Sequence, residues 1–549
     1  MDNIKINIEG HLYEVPSDLT ILEAARKVGY NIPSLCYWNK GHNSLASCRV
    51  CLVELSSSRG SRLVASCVYP VSECAADKGF VIKISSPMAI DARRTSVELL
   101  LSNHSKDCQT CVKNGQCELL HVASLTGARS GQFLGEVTPS TYDDVAPGLV
   151  RDTSKCILCG RCIERCKEAQ GIGILGFEKR GFNTIVGPAE NRSFASVPCI
   201  QCGQCIEVCP TGALSEKREI DKVDQAMHQG KYVIVQTAPA IRAAIAEEFG
   251  HKIGEQNGTG KMVAALHRLG FYRVFDTNFG ADLTIMEEAQ ELLNRIKTGG
   301  TLPQITSCSP GWINYMEYFY SDLIPNVSTC KSPHEMEGAI IKSYFASKHG
   351  LKPEDIFVVS IMPCTAKKYE AKRPQNAAVN GLPDVDAVLT TRELAVMIKR
   401  AGLLWDELPE EEFDDDLIGE YTGAAAIFGV TGGVMEAAPV VRAEELADAG
   451  ATVEWVPGFN LPFLMFNCEK PPFDDVRVRQ ALLYAIDVDS LIGTYMAGHA
   501  RAATSLLPDY FRHYHRAATV YSYDPEKARK LLAEAGVDEL ALTLRANDN

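Results

Sequence analysis

The chain has 549 residues, of which 46% are hydrophobic and 23% charged, and its formal net charge at neutral pH is −14. A chain of this length is expected to form several domains. The acidic balance disfavours nucleic acid as a partner, because phosphate binding needs clustered basic side chains. The start MDNIKINIEG lacks the pattern of a secretory signal, and no apolar run is long enough for a membrane span. We therefore expect a cytoplasmic protein.

Twenty cysteines in a chain without an export signal indicate metal ligation rather than disulfides. Residues 1–80 predict a small β-grasp domain. Within it, residues 4–8 alternate apolar and polar side chains as a half-buried strand, and residues 20–28 predict a helix that ends at Gly29. Four cysteines then follow with a longer first gap than the plant-type ferredoxin spacing: Cys36, Cys48, Cys51 and Cys67. We interpret them as ligands of a [2Fe–2S] cluster, with structural zinc as the alternative.

Residues 81–135 carry a second ligand set, in which one histidine joins three cysteines. The set is His104, Cys108, Cys111 and Cys117. In isolation such a set suits structural zinc. Because it lies between two other iron–sulfur segments, we favour a [4Fe–4S] cluster with one histidine ligand. A neutral imidazole in place of a thiolate makes the cluster site less negative and can raise its potential.

Residues 136–218 contain the cysteine pattern C-x2-C-x2-C-x3-C twice. The first copy is Cys156, Cys159, Cys162 and Cys166, and the second is Cys199, Cys202, Cys205 and Cys209, followed by Pro210. This doubled spacing is typical of a bacterial-ferredoxin-like fold with two [4Fe–4S] clusters. In that fold the fourth cysteine of each copy serves the other cluster, so we expect Cys209 to complete the first cluster and Cys166 the second. The pattern predicts a protein that moves electrons.

The sequence after the second cysteine run alternates strands and helices, which predicts an α/β domain. Residues 232–237 and 356–361 are short apolar strands, and residues 239–249 predict a helix. Cys308 and Cys364 each lie just past a predicted strand end. Ligands bind at that edge of an open α/β sheet, so we expect a site there.

Four stretches of this region resemble the catalytic domain of [FeFe]-hydrogenases. TSCSPGW at 306–312 and MPCTAKKYE at 362–370 are similar to the first two signature loops of that family. Two further stretches match in family order, NFGADLTIMEEA at 278–289 and FGVTGGVMEAA at 428–438. With the cluster segments, the resemblance covers residues 1 to about 438. It implies a catalytic domain over 219–438 and the reversible reaction 2H⁺ + 2e⁻ ⇌ H₂, fed by the N-terminal clusters.

The resemblance also implies a cofactor and roles for single residues. The family holds an H-cluster, a [4Fe–4S] cubane joined by a cysteine thiolate to a diiron unit that carries CO, CN⁻ and a bridging dithiolate. Cys364 is implied as a cubane ligand, Lys367 as a hydrogen-bond donor to cyanide and Met362 as a neighbour of the diiron unit. Proton transfer in the family runs through a thiol, carboxylates and a hydroxyl, at positions that correspond here to Cys308, Glu288, Ser328, Glu291 and Glu370.

Two departures from the family pattern affect the terminal cluster. The family often shows adjacent cysteines in the first loop, the first for protons and the second for the cubane, whereas the second position here is Ser309. Either Ser309 is a poor ligand or Cys308 ligates the cubane in its place. The third loop of the family supplies two more cysteines, but only Cys468 follows Cys364 here. The resemblance therefore predicts an incomplete active site, and an electron-transfer protein without H₂ chemistry is the alternative function.

Serine-bearing first loops resemble those of NAD(P)-linked multisubunit hydrogenases. The expected partners are therefore protons and H₂ together with ferredoxin or NAD(P)H-linked flavoprotein subunits. A complex I-like large subunit shares the front-end clusters, but the loops at 306–312 and 362–370 argue against that interpretation. The acidic stretch 406–416 predicts a solvated loop.

The C-terminal segment, 439–549, resembles a different family. FNCEKPPFDDVRVRQALLYAID at 466–487 and YDPEKARKLLAEAG at 523–536 are similar to segments of ABC-transporter solute-binding proteins of family 5. The segment is too short for the two lobes that such proteins close around a ligand. We expect only amphipathic helices, at 474–486 and 525–535.

The expected fold is multidomain α+β. In chain order it comprises the β-grasp domain, the domain with one histidine and three cysteines as ligands, the ferredoxin-like domain with two clusters, a truncated α/β catalytic domain and an α-helical C-terminal fragment. The two family resemblances meet between residues 438 and 455, so the chain has the pattern of a chimera.

Overall fold

The computed structural model describes residues 3–38, 45–415, 423–429, 471–495 and 521–537, together with single positions at 433, 445, 448 and 502. The chain divides into two compact units, residues 1–442 and residues 443–548. Among the described residues, no helix is both long and apolar enough to cross a membrane.

The N-terminal segment forms a five-stranded mixed sheet. Its strands are β1 (Asn3–Ile8), β2 (His11–Pro16), β3 (Leu52–Ser57), β4 (Gly60–Ala65) and β5 (Val81–Lys83), in the order β2-β1-β5-β3-β4. Ile6 and Ile8 are fully buried, which confirms the predicted alternation in β1. Helix α1 (Ile21–Lys27) begins at Thr20, whose hydroxyl accepts the N–H of Glu23 while the Glu23 carboxylate accepts the N–H of Thr20. The predicted helix is therefore confirmed.

Two helices flank the loop that carries the histidine–cysteine set. They are α2 (Pro87–Ser102) and α3 (Glu118–Thr126). Val97 of α2 and Leu119 and Val122 of α3 belong to the same buried apolar cluster as Ile6 and Ile8. This shared core attaches the loop to the N-terminal sheet.

The segment with the doubled cysteine pattern is built from short elements. Its strands are β6 (Tyr142–Asp143), β7 (Leu149–Asp152), β8 (Gly176–Glu178), β9 (Ile185–Gly187) and β10 (Leu214–Glu216), which form a β10-β7-β6 sheet and a β8-β9 hairpin. Each cysteine run contains a short helix, α4 (Arg161–Glu164) or α5 (Gln204–Glu207). A left-handed glycine precedes each helix, Gly160 with φ 78° and Gly203 with φ 72°. The two runs therefore repeat in backbone conformation as well as in sequence.

The catalytic-domain segment is a four-stranded parallel sheet surrounded by helices. Its strands are β11 (Tyr232–Thr237), β12 (Arg273–Asp276), β13 (Ile356–Ile361) and β14 (Ala387–Leu389), in the order β12-β11-β13-β14. Its helices are α6 (Ile220–His228), α7 (Pro239–Ala244), α8 (Thr259–Arg268), α9 (Asn278–Thr298), α10 (Pro310–Phe319), α11 (Pro333–Ile340), α12 (Ala346–Lys348), α13 (Ala366–Glu370), α14 (Thr391–Arg400) and α15 (Gly423–Phe428). The two central strands are almost entirely buried, as expected of parallel strands covered on both faces.

Two of the sequence predictions for this region need correction. The helix predicted over 239–249 ends early as an α-helix, because Ile245–Phe249 tightens into a 3-10 turn that stops at the left-handed Gly250. The segment before Cys308 is not a strand of the sheet. It makes one isolated parallel bridge, between Ile305 and Val327, so only Cys364 follows a sheet strand.

The described part of the acidic stretch packs against the catalytic domain and is not a freely solvated loop. The Asp414 carboxylate accepts the backbone N–H of Val274 at 2.7 Å and lies 3.2 Å from Nε2 of His267. Glu411 lies 2.8 Å from Nδ1 of the same ring. Burial opposes the charged form of His267, but hydrogen bonds to Glu411 and Asp414 raise its pKa overall. The acidic side chains therefore hold this segment against β12 and α8.

The second unit is helical where it is described. Its helices are Val476–Ala485, Val488–Tyr495 and Pro525–Glu534, so both predicted helices are confirmed. The rings of Tyr484 and Tyr521 meet edge to face with centroids 5.1 Å apart, and the Lys527 ammonium lies 4.2 Å from the Tyr484 centroid. These contacts join the first and third helices.

Three features predicted from the sequence lie wholly or mostly outside the described residues. They are Cys468, the signature stretch at 428–438 and the junction at 438–455.

Candidate iron–sulfur relay and active site

The four cysteines of the N-terminal domain converge in its buried interior. They are Cys36, Cys48, Cys51 and Cys67. The Sγ atoms of Cys36 and Cys48 are 3.4 Å apart, and hydrogen bonds from Cys48 and Cys67 lower the pKa of Cys36 to about 2. Cys74 is also buried but turns its thiol to the Pro70 carbonyl. The four converging thiols fit a cluster with four thiolate ligands.

The histidine–cysteine set lines a single pocket. Its walls include His104, Cys108, Cys111 and Cys117, with Lys155 beside them. The Nδ1 atom of His104 is buried without a hydrogen-bond partner among the described residues. Burial also lowers the pKa of this imidazole, which keeps it in the neutral form that binds metals. An unpartnered neutral imidazole beside three thiols fits a metal centre with one nitrogen and three sulfur ligands.

The two cysteine runs exchange their fourth members. One pocket is lined by Cys156, Cys159, Cys162 and Cys209, and does not include Cys166. Cys166 instead lies within electrostatic range of Cys199, Cys202 and Cys205. Burial raises the pKa of both Cys156 and Cys199 to about 12, so these thiols need a bound cation to ionise at neutral pH. Each pocket therefore fits one cubane.

The first of these pockets touches both upstream sites. The hydroxyl of Ser47 donates to the Cys159 carbonyl at 3.1 Å, which connects the loop of the N-terminal cysteines. The backbone N–H of Glu118 donates to the Pro210 carbonyl at 3.1 Å, and a Cβ added at Gly212 would lie 2.9 Å from Sγ of Cys111. Both upstream sites therefore lie in contact with the chain that forms the first cubane pocket.

The second pocket touches the loop of Cys364. The hydroxyl of Thr365 donates to the Gln201 carbonyl at 2.8 Å. A Cβ added at Gly203 would lie 2.5 Å from Oγ1 of Thr365, and Gly203 also needs its positive φ. The glycine lets the two loops meet, so the second cysteine run and the catalytic domain are in direct contact.

The structure brings Cys308 and the second signature loop together through Lys367. The Lys367 ammonium donates to the Cys308 carbonyl at 2.9 Å and to Oε2 of Glu370 at 2.7 Å. Burial raises the pKa of the Cys308 thiol, although the charge of Lys367 opposes that shift. Met362 is buried at the end of β13, and Ser309 precedes α10 without a capping bond from its side chain. Lys367 therefore points to the space between the two signature loops.

Two of the three carboxylates predicted for proton transfer, Glu288 and Glu291, lie on α9, and their pKa values shift in opposite directions; the third, Glu370, ends α13. Burial raises the pKa of Glu288, whose Oε1 lies 3.5 Å from the N–H of Ser307. Glu291 accepts the hydroxyl of Ser328 at 3.0 Å and two nitrogens of Arg295 at 3.0 and 2.6 Å. Burial opposes ionisation of Glu291, but these donors lower its pKa overall. Burial thus favours the protonated form of Glu288, whereas the donors around Glu291 favour its ionised form.

Three further residues of this site were not predicted from the sequence. Arg295 follows Glu291 by one helical turn, so this ion pair could have been inferred from the sequence. The Cys330 thiol lies 3.8 Å from the Glu291 carboxylate. The backbone carbonyl of Cys330 accepts the Ser307 hydroxyl at 2.5 Å. His334 lies 2.8 Å from Glu370 through Nε2. The contacts of Cys330 and His334 join distant segments, so no local pattern could have indicated them.

Comparison with known proteins assigns a family to each segment. In chain order the matches are a 2Fe-2S iron-sulfur cluster binding domain (1–76), the NADH-ubiquinone oxidoreductase-G iron-sulfur binding region (93–131), a 4Fe-4S dicluster domain (155–213), the C-terminal domain of the iron only hydrogenase large subunit (231–456) and the middle of bacterial extracellular solute-binding proteins of family 5 (420–548). The last two matches overlap over the stretch where the sequence predicts the junction.

Two curated hydrogenases are similar over most of their length. The NADP-reducing hydrogenase subunit HndD of Solidesulfovibrio fructosivorans is 45% identical over 91% of this chain and 84% of its own. Iron hydrogenase 1 of Clostridium pasteurianum is 42% identical over 79% of this chain and 74% of its own. Among solved structures, a cysteine-to-histidine variant of apo [FeFe]-hydrogenase HydA1 from Chlamydomonas reinhardtii is 46% identical with a TM-score of 0.35, covering 40% of this chain and 57% of that one.

The chain belongs to the iron-only, or [FeFe], hydrogenase family. It is an iron–sulfur oxidoreductase of this type, with segments that match 2Fe-2S and 4Fe-4S domains before the hydrogenase domain. The complex I-like alternative is not favoured, because the match to an NADH-quinone oxidoreductase chain of Rhizobium meliloti covers only 38% of this chain and 24% of that protein.

Proposed function

We propose that the chain relays electrons through one [2Fe–2S] and three [4Fe–4S] clusters to the loops of Cys308 and Cys364, where the family reaction 2H⁺ + 2e⁻ ⇌ H₂ takes place. The observation that carries this proposal is the bond between Thr365 and the Gln201 carbonyl. It supports the proposal, because it joins the chain of the second cysteine run directly to the loop of Cys364.

The proposed ligands follow the four convergent sets. The [2Fe–2S] cluster takes Cys36, Cys48, Cys51 and Cys67, and the histidine-ligated [4Fe–4S] cluster takes His104, Cys108, Cys111 and Cys117. The first cubane of the doubled pattern takes Cys156, Cys159, Cys162 and Cys209, and the second takes Cys166, Cys199, Cys202 and Cys205. The contacts of the first cubane pocket make it the point where electrons from both upstream clusters enter.

Proton movement at the site is assigned to the carboxyl chain on α9. Glu288 is the proton carrier, because burial raises its pKa above the usual range of a carboxyl group. Ser328 connects it to Glu291, which stays ionised beside Arg295 and serves as the acceptor. In this assignment Cys308 exchanges its proton with Glu288, and the Lys367 ammonium, held by Glu370, presents a positive charge towards the reacting space.

The terminal cubane of the H-cluster does not fit the donors of this chain. A [4Fe–4S] cubane takes four ligands, normally thiolates. The two signature loops supply Cys308 and Cys364, with Ser309 between Cys308 and α10, and Cys468 is the only cysteine of the sequence after Cys364. We therefore assign a full set of ligands to each relay cluster and only part of the ligand set to the terminal cubane.

The proposed electron partners are ferredoxin or flavoprotein subunits that use NAD(P)H, and the proposed location is the cytoplasm. The first assignment rests on the similarity to a subunit of an NADP-reducing hydrogenase. Electrons from such a partner enter at the two upstream clusters.

Iron content tests the relay. Anaerobic reconstitution of the full chain with iron and sulfide should give about fourteen iron atoms per chain, from one two-iron and three four-iron clusters. Colorimetric iron and acid-labile sulfide assays measure this content. A value of two or three irons, with no matching sulfide, would show that the cysteines hold zinc or nothing and would remove the basis of the proposal.

A further inference from the structure

Three buried side chains with metal-binding atoms meet next to Lys367. They are His334 and Glu335 in the first turn of α11 and Glu370 at the end of α13. One ligand atom of each lies within 4.8 Å of the others. The Nε2 atom of His334 is 2.8 Å from Glu370 and 3.4 Å from Oε1 of Glu335.

Glu335 is the member of this group that the described structure leaves unsatisfied. Its side chain is fully buried, and neither carboxylate oxygen makes a hydrogen bond to any described residue. A buried carboxylate without a partner is costly and must take up a proton or a cation. Burial raises its pKa far above the usual range, so without a cation the group carries a proton. Glu335 therefore brings at least one oxygen without a hydrogen bond into a site that already holds a second carboxylate.

The imidazole of His334 is oriented for ligation. Its Nδ1 atom lies 3.2 Å from the hydroxyl of Ser360 on β13, and this contact fixes the ring. The other nitrogen, Nε2, then faces both carboxylates. A ligating histidine in proteins is held in the same way, by a bond from its second nitrogen to a neighbouring group.

We propose that His334, Glu335 and Glu370 bind one divalent first-row transition-metal ion, separate from the iron–sulfur clusters. Neighbouring ligand atoms around an ion with bonds of about 2.0 to 2.2 Å lie roughly 3 Å apart, close to the two distances from Nε2. One nitrogen and two carboxylates are a donor set for iron, zinc or manganese rather than for a thiolate-bound cluster.

Binding displaces one proton to solvent and leaves Lys367 in place. The ion takes the position of the proton on Glu335, which goes to solvent, and the position of the hydrogen between Nε2 and Glu370. The neutral imidazole of His334 keeps its one proton by moving it to Nδ1, which then donates to the Ser360 hydroxyl. Lys367 keeps its contact with Oε2 of Glu370 at 2.7 Å, so that carboxylate bridges the ion and the ammonium. The bound ion joins α11 to the segment of Cys364 and fixes Glu370 behind Lys367.

Manganese provides the test, because it prefers oxygen and nitrogen donors and competes poorly for thiols. Mn²⁺ is added during cluster reconstitution, so that it can enter a site that is closed in the folded chain. Protein-bound Mn²⁺ is then counted by electron paramagnetic resonance with the clusters in their oxidised, silent state. We expect one tightly bound Mn²⁺ per chain, with the spin-echo modulation of a single coordinated ¹⁴N from His334.

The test variant is Glu335→Gln, and its matched control is Glu337→Gln. Glu337 is also buried on α11 with unpartnered oxygens, but it is not part of the group. We expect at least tenfold weaker Mn²⁺ binding in Glu335→Gln and unchanged binding in Glu337→Gln, with equal visible absorption of the clusters as the check on folding. If Glu335→Gln fails to fold, the ¹⁴N modulation in the unaltered chain and its loss in His334→Leu decide. No stoichiometric Mn²⁺, Mn²⁺ without ¹⁴N modulation, or full binding in a folded Glu335→Gln variant would overturn the proposal.

Discussion

A variant that loses Cys156, Cys159, Cys162 and Cys209 to alanine should keep an intact second cubane, whereas a variant that loses Cys156, Cys159, Cys162 and Cys166 should not. The reason is the exchange of fourth cysteines between the two runs, since Cys209 lines the first pocket and Cys166 approaches the second run. In the first variant all four ligands of the second cubane remain. In the second variant, the second cubane keeps three of its ligands and the first cubane keeps only one.

The two variants share three substitutions and differ only in whether Cys209 or Cys166 is the fourth cysteine replaced, so each is the control for the other. After anaerobic reconstitution, the first should contain about ten iron atoms and a full-intensity signal from the remaining reduced cubane of the pair. The second should lack this signal and hold up to about four fewer irons. Cys74→Ala should lose no iron, because its thiol faces the Pro70 carbonyl. If the second variant kept the cubane signal and the higher iron content while the first lost them, the assignment of Cys209 to the first cubane and Cys166 to the second would be contradicted.

Glu393→Gln should cost about 3 to 5 kcal/mol of stability in the catalytic domain, because it leaves a buried charge unpaired. Lys368 and Glu393 are both buried, with 0% and 1% of their side chains exposed, and their charged atoms are 2.8 Å apart. The Glu393 carboxylate also accepts the backbone N–H of Glu219 at 2.7 Å and that of Thr390 at 2.8 Å. It therefore ties the starts of α6 and α14 to helix α13, which follows Cys364.

The control for this variant is a neighbouring pair with one exposed partner. Arg392 contacts Glu216 at 3.0 Å, with 48% of the Arg392 side chain and 11% of the Glu216 side chain exposed. Water reaches the guanidinium, so Arg392→Ala should cost less than Glu393→Gln, about 1 kcal/mol. The shift of the urea midpoint, followed by tryptophan fluorescence on reconstituted protein, measures both effects. Equal shifts for the two variants would show that the buried pair contributes no more than the partly exposed pair.

The elements that the sequence predicted well are those with a local physical cause. The strands at 232–237 and 356–361 were predicted with their observed bounds, because central parallel strands are apolar throughout. Helix α1 was predicted from its apolar pattern and its terminal glycine, and its capping box supplies the local cause. The repeated cysteine spacing predicted two similar ligand segments, and both runs do place a left-handed glycine before a short helix. The exchange of Cys166 and Cys209 between the two clusters stays a prediction.

The features that the sequence did not predict depend on contacts between distant segments. Nothing local shows that Thr365 meets Gln201, or that His334 reaches Glu370 across two helices. The acidic stretch was predicted as solvated because its composition is polar. The position of Asp414 beside Val274 and His267 could be read only from the folded chain.

The proposed electron path rests on the largest number of contacts. The members of each predicted ligand set lie together, the pocket of Cys156 and Cys209 touches both upstream sites, and the second cysteine run touches the Cys364 loop. At the candidate active site, Lys367 donates a hydrogen bond to Glu370, and Ser328 donates one to Glu291 on α9. The donor set of the terminal cubane departs from the family at two points. Ser309 stands in the first loop where the family often has a cysteine, and Cys468 is the single cysteine of the sequence after Cys364.

The most direct test of this account is an infrared spectrum of the chain matured in a host that assembles H-clusters, recorded beside the paramagnetic resonance spectrum of the same reduced sample. We predict the resonance signals of the relay clusters and no infrared bands from metal-bound CO and CN⁻. Intense CO and CN⁻ bands would contradict the incomplete donor set. Absence of the relay signals would contradict the electron path itself.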